Sequence, residues 1–137
     1  MSNNILVTGC NGQLGSEFKN LASNYSEFNF FFKDLDLDIS NKQGLDDFIS
    51  HQKIHIILNT AAYTNVNKAE LEKEKADLIN SFAVKNLVEL SEKYNCKLIH
   101  FSTDYVYYGL NKSPIKENSP KNPLNYYGVS KRNGEIL

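Results

Sequence analysis

The stretch from Asn4 to Ala22 constrains the fold more than any other part of the chain. Asn4-Ile5-Leu6-Val7-Thr8 reads as a buried strand. The turn "GCNGQLG" follows at once, and then Leu14, Phe18, Leu21 and Ala22 recur at i, i+4, i+7 and i+8, the stripe of a helix. A strand that runs straight into a helix packs that helix back on its own sheet, so the next strand must lie parallel. The pattern then repeats. Phe28 to Phe32 is strand-like, Leu45, Phe48 and Ile49 mark a helix, and Ile54 to Thr60 is a third strand. Ile79, Phe82, Ala83, Leu87 and Leu90 sit at helical spacing, and Lys97 to Ser102 supplies a fourth strand. Asn122 and Pro123 are expected to open the last helix, as N-cap and first-turn residue. The order βαβαβαβα predicts the α/β class: a doubly wound parallel sheet with helices on both faces.

Composition narrows the partners. With 137 residues, 41% hydrophobic and 23% charged, the chain fits one globular domain spanning residues 1–137. A net charge of -1 gives no footprint for nucleic acid or an acidic membrane surface. No apolar run approaches the ~20 residues of a membrane span, and the opening "MSNNILVTG" has no basic region before an apolar one, so a cytoplasmic location is expected. Cys10 and Cys96 form no C-x-x-C and read as reduced, packed thiols. His51, His55 and His100 have no neighbouring cysteine, and no metal is expected. Thr103 to Lys121 is irregular, rich in Tyr, Asn, Ser and Pro, and long enough to suggest function.

The first turn carries Gly9, Gly12 and Gly15 as G-x-x-G-x-x-G. Such glycines allow a tight turn, close approach of backbone to a pyrophosphate, and close packing of helix on strand, while the free N–H groups of the helix start meet negative charge. The spacing gains force from its setting, because Asp34 closes the second strand about twenty residues further on, where a carboxylate reads an adenosine ribose. That carboxylate favours NADH. Lys33 beside it would offset its repulsion of a 2′-phosphate, so NADPH stays open. Asp36, within "DLDLD", reads as a solvated turn residue.

Near the other end, "YYGVSK" places Tyr127 and Lys131 at i and i+4, on one face of a helix. A cation within about 4 to 6 Å of a phenol stabilises the phenolate, so the lysine can tune the tyrosine toward proton exchange. Lysine can also donate to ribose hydroxyls. "FSTDYVY" supplies the hydroxyls of Ser102 and Thr103 at the carboxyl end of the fourth strand, where ligands of such sheets bind.

The segments "VTGCNGQLG", "LDI", "NTAAYTNVNKAE", "STDYV" and "PLNYYGVSK" resemble, in order, those of the extended short-chain dehydrogenase/reductases, and within them the reductases of 4-keto nucleotide sugars. The resemblance implies cofactor contacts from Gly12, Gln13 and Leu14, from Asp34, from Asp38 and Ile39 beside the adenine, and from Ala62, Tyr63 and Thr64. It implies Thr103 and Asp104 at the sugar, Tyr127 as catalytic acid and Lys131 orienting a bound NADPH or NADH. Thr103 would polarise the carbonyl oxygen that Tyr127 protonates. Asn67 stands where that family commonly has Asp, and Tyr107-Tyr108 where it has Phe and an acid. Dehydratases of the family carry Asp-Glu after the threonine; Asp104-Tyr105 here disfavours dehydration.

Members of that family continue well past the equivalent of Leu137, through more strands and a smaller substrate-binding region. The expectation is therefore an amino-terminal portion lacking its substrate domain, which holds a dinucleotide yet reduces its sugar poorly. The sheet would keep an open edge. A homo-oligomer is possible. The resemblance also extends to the regulatory subunit of methionine adenosyltransferases, which offers a second reading as a binding partner without turnover.

Overall fold

The computed structural model describes residues 3–109 and 113–137. Four strands, β1 (Asn3–Thr8), β2 (Phe28–Lys33), β3 (Ile56–Asn59) and β4 (Lys97–His100), form one parallel sheet in the order β2-β1-β3-β4. The connections are α1 (Gln13–Ala22), α2 (Lys42–Gln52), and a long excursion between β3 and β4. That excursion comprises α3 (Val66–Ala69), α4 (Lys73–Asp77), a π-helical turn (Leu78–Phe82) and α5 (Ala83–Lys93). A short 3₁₀ turn (Asp104–Val106) and α6 (Tyr126–Glu135) follow β4. The strand order jumps from β2 on one side of β1 to β3 on the other, so the carboxyl ends of β1 and β3 flank a crevice.

Strand residues alternate between two faces, and each face has its own core. Leu6 and Ile57 point to one side, against Leu45 and Ile49 of α2 and Leu87 and Leu90 of α5. Ile5, Val7 and Leu58 point to the other, where Phe18 of α1 and the rings of Phe28, Phe30 and Phe32 meet them. Each such aliphatic side chain contributes about 1.5–3 kcal/mol by leaving water. The predicted class, doubly wound with helices on both faces, is the observed one.

The boundaries differ from the expected ones in informative places. α1 buries Phe18 and Ala22 only in part and leaves Leu14 and Leu21 41% and 48% exposed, because no second helix flanks it on that face among the described residues. Phe82 was expected in the helical stripe with Ile79 and Leu87, yet it is 61% exposed. The π-helical turn is the cause: its wider winding breaks the 3.6-residue register just before α5. The last helix starts later than Asn122 and Pro123. Its cap is Asn125, whose side chain accepts from the Gly128 N–H at 2.8 Å, while Pro123 packs beside Gly128.

Candidate functional site

At the carboxyl end of β1 the backbone turns through Gly9, whose φ of 66° suits glycine. A Cβ there would stand 2.5 Å from the backbone of Ala61, so the turn is wedged against the chain leaving β3. Gly15 fills the same role one helical turn on: its Cβ would lie 2.4 Å from the Gly9 carbonyl oxygen. Gly12 differs. It is the exposed N-cap of α1, with no side chain to satisfy the first N–H groups of that helix. Those donors open into a cavity of about 780 Å³ lined by Gly9, Asn11, Gly12, Gln13, Leu14, Glu17, Asp34, Thr60, Ala62 and Thr64. A smaller annex of about 170 Å³ runs on from Asp34 past Leu37, Asp38 and Ile39 to Ala61, Ala62 and Ile79. An uncapped helix start with glycine backbone around it fits a diphosphate, and the apolar annex fits an adenine.

Asp34 is built into this loop as well as facing the cavity. Its Oδ2 accepts from the Asn11 N–H at 2.9 Å and its Oδ1 from the Leu35 N–H at 3.0 Å. Lys33 turns elsewhere: its ammonium pairs with Asp36 at 2.5 Å and lies 5.5 Å from the centre of the Phe48 ring. The hydrogen bond from Lys33, and then that from the Asp34 N–H, hold the Asp36 carboxyl below its usual range. Asp36, expected as a merely solvated turn residue, is thus the partner of Lys33. Asp38 accepts from the Ser40 N–H and hydroxyl, both at 2.8 Å, which closes the turn before α2.

Tyr63 lines neither cavity. Its ring packs with Ala69 and Ala76, and its phenol donates to Glu72 at 2.9 Å. Burial, then Glu72, raises the Tyr63 pKa. Its backbone does the positioning, through Asn80 of the π-helical turn. The Asn80 carboxamide, 1% exposed, accepts from the Tyr63 N–H at 2.9 Å. It also donates to the Tyr63 carbonyl and to the Ser130 hydroxyl, both at 3.0 Å. One buried side chain thus ties the loop after β3 to α6. Sequence reasoning missed Asn80, although a polar residue inside an otherwise apolar stripe was the available signal.

On α6, Tyr126 and Tyr127 have different neighbours. Tyr126 is committed to the fold: its hydroxyl donates to Asp77 at 2.6 Å and its N–H to Glu70 at 2.7 Å. Tyr127 packs edge-on against Tyr105, with ring centres 5.6 Å apart. Lys131, one turn on, is 2% exposed, and its amine donates to the Phe101 carbonyl at 2.6 Å. Both side chains therefore turn toward the segment that leaves β4. Thr103 caps the 3₁₀ turn there, accepting from the Tyr105 N–H and donating to Asp104, each at 3.2 Å. Asp104 lines a separate cavity of about 290 Å³ with Tyr105, Tyr107, Tyr108, Gly109, Leu124 and Asn125. Thr103, Tyr127 and Lys131 line neither the glycine-loop crevice nor the Asp104 cavity.

A polar chain runs from the end of β1 to α6. The Thr8 hydroxyl donates to Asn59 at 2.6 Å, Asn59 Nδ2 meets His100 Nδ1 at 2.9 Å, and His100 Nε2 lies 3.4 Å from the Lys131 amine. Burial first, and then the lysine charge, push the His100 pKa down to about 4, so its imidazole is neutral at pH 7. Burial likewise lowers Lys131 to about 8, against a smaller opposing pull from Glu135. Glu135 is held by Lys121 and by the Ser102 hydroxyl, which lower its pKa against burial. Ser102 thus serves α6 here. Among the described residues no group of three or more His, Cys, Asp and Glu side chains is placed to hold a metal ion. Nor is any helix long and apolar enough to cross a membrane.

The geometry has close counterparts. The chain is 38% identical over 134 residues to the dTDP-4-dehydrorhamnose reductase of Aggregatibacter actinomycetemcomitans, covering 97% of this chain and 46% of that protein. It is 36% identical to the Salmonella typhimurium enzyme of the same name, covering 96% and 45%. A crystal structure of dTDP-4-dehydrorhamnose reductase from Bacillus anthracis in complex with NADP superposes with a TM-score of 0.94 at 35% identity, covering 99% of this chain and 49% of that one. The chain therefore spans about half the length of the relatives it matches. The profile of the RmlD substrate binding domain matches residues 3–137, and with a glycine-loop crevice and a tyrosine-lysine helix in the places described, the chain belongs to that family.

Proposed function

We propose that residues 1–137 form the dinucleotide-binding and proton-donating half of an NAD(P)H-dependent reductase of a 4-keto nucleotide sugar, with dTDP-4-dehydro-L-rhamnose as substrate and most of the sugar-binding portion lying outside these residues. The observation that carries this reading is the pairing on α6: the Tyr127 phenol and the buried Lys131 amine share one face and turn to the Thr103 segment. When bound, the reduced nicotinamide supplies hydride to the C4 carbonyl carbon. Gly9, Gly12, Gln13 and Leu14 would receive the diphosphate on the turn that Gly15 lets close, Asp34 the adenosine ribose, and Asp38, Ile39, Ala62 and Thr64 the adenine side and the middle of the cofactor, with the Tyr63 backbone fixing that last loop. Thr103 donates a hydrogen bond to the carbonyl oxygen, Asp104 holds the sugar, and Tyr127 delivers the proton to that oxygen. Lys131 holds the cofactor ribose and favours the tyrosinate left behind, which solvent then reprotonates. The reading is supported by the relatives' names and by the match to a structure in complex with NADP.

The test compares the chain alone with the chain joined to the carboxyl-terminal half of one of its relatives. Each is mixed with dTDP-4-dehydro-L-rhamnose and NADH or NADPH, and nicotinamide absorbance is followed. The joined protein should turn over and the short chain should be much slower. Tyr127→Phe in the joined protein should lower turnover by about a hundredfold to ten-thousandfold with dinucleotide affinity kept. That Thr103, Tyr127 and Lys131 line no part of the glycine-loop crevice favours a second reading, a binding subunit without turnover. Dinucleotide binding by a joined protein that never consumes it would select that alternative.

A further inference from the structure

The adenosine end of the crevice has an uneven distribution of charge. Two carboxylates, Asp34 and Glu17, line it, and among the described residues no lysine or arginine does. The nearest basic neighbour along the chain, Lys33, is withheld by Asp36 and by the face of Phe48. A second cation stands closer to the loop. The Lys19 ammonium, on the exposed side of α1, donates to Asn11 Oδ1 at 2.8 Å, and the N–H of that same Asn11 donates to Asp34 Oδ2 at 2.9 Å. Lys19 and Asp34 are therefore linked through a single residue of the crevice wall.

We propose that Lys19 is the residue that sets the choice between NADPH and NADH: it is the cation that meets an adenosine 2′-phosphate, offsetting Asp34, while Lys33 is kept out of that role by Asp36. The proposal rests on the cofactor reading given above. The acid at the end of β2 faces the ribose 2′-position in sheets of this kind. A phosphate there adds close to two negative charges within reach of Asp34, and it needs a cation that no wall residue among those described supplies. A plain 2′-hydroxyl makes no such demand and is satisfied by Asp34 alone. Lys19 is long and solvent-exposed, so it can leave Asn11 for the phosphate without strain in the fold.

The test is a fluorescence titration of the chain with NADH and with NADPH, for the native protein, Lys19→Gln and Asp36→Asn, at low and at high salt. Thermal melting confirms that each variant is folded. Lys19→Gln should weaken NADPH about threefold to tenfold, the scale of one partly screened charge pair with a dianion, and leave NADH within about twofold. Salt should erode the NADPH affinity of the native chain more than that of Lys19→Gln. Asp36→Asn should free Lys33 and tighten NADPH selectively. If Lys19 only braces Asn11, the variant weakens both dinucleotides alike, and the proposal fails. Equal affinities for NADPH in native and Lys19→Gln protein also overturn it, and an unchanged Asp36→Asn removes the role given to Lys33. Should neither dinucleotide bind the native chain, the proposal falls together with the cofactor reading beneath it.

Discussion

Lys131 is a cation placed where only its partners make burial tolerable. Its amine keeps the Phe101 carbonyl and the neutral edge of His100, and burial lowers its pKa from 10.5 to about 8. A base whose folded-state pKa is depressed binds fewer protons folded than unfolded between the two values, so stability rises with pH from about 8 to about 10. The scale is roughly 1.4 kcal/mol per pKa unit. His100 acts in the same sense lower down: its pKa of about 4 against 6.5 makes stability fall as pH drops through that interval. Denaturant melts of the native chain and Lys131→Met should therefore diverge on the alkaline side, with the rise between pH 8 and 10 confined to the native protein. The two tyrosines separate by the same logic. Tyr126→Phe loses the bond to Asp77 and should cost about 1–2 kcal/mol, whereas Tyr127→Phe should leave the melting curve nearly unchanged.

At the scale of elements, the loop after β3 and the start of α6 are coupled through the π-helical turn. Removing the Asn80 carboxamide leaves the Tyr63 N–H and carbonyl without that partner inside the fold. Asn80→Ala should cost about 2–4 kcal/mol by the penalty for buried unsatisfied groups, and weaken dinucleotide binding by loosening Ala62 to Thr64. Asn80→Asp, which sets a buried carboxylate against the Tyr63 carbonyl, should cost at least as much at neutral pH. Gly9→Ala should be at least as harmful, because a Cβ meets the Ala61 backbone at 2.5 Å. The alternation of strands and helices, the glycine turn and the tyrosine-lysine spacing were all legible in the sequence, since each follows from local periodicity or fixed offsets. The π-helical turn was not. One extra residue per turn leaves no mark on a hydrophobic pattern except the misfit of Asn80 and Phe82, and the Asn125 cap competes with an equally plausible Asn-Pro pair only three residues earlier. Asn59 and His100 were equally hidden, because their partners come together only when separate strands pair.

For the whole molecule, the sheet explains both what the chain holds and what it leaves open. The order β2-β1-β3-β4 puts the crevice between β1 and β3, while the far side of β4 carries no strand among the described residues. Ile99 and Phe101, at and just beyond that strand, are about two-fifths exposed. A parallel edge with apolar side chains is a template for association. Light scattering should show concentration-dependent association of the native chain, and Ile99→Lys should reduce it. Length and composition gave the expectation of a chain this size with its own core, and two separate cores form on the two faces of the sheet. What no local pattern could give is that Asp104 opens into a different cavity from Gly12 and Asp34.

The central claim is that the turn after β1 and the loop after β3 form one dinucleotide crevice beside the tyrosine-lysine helix. Amide spectra of nitrogen-15-labelled chain, recorded while NADPH is added, test it residue by residue. The account predicts saturable shifts at Gly12, Gln13, Leu14, Asp34, Ala62 and Thr64, reaching Tyr127 and Lys131 as the nicotinamide end settles. Saturation with those amides unmoved, or no shifts at all at millimolar NADPH, would contradict it.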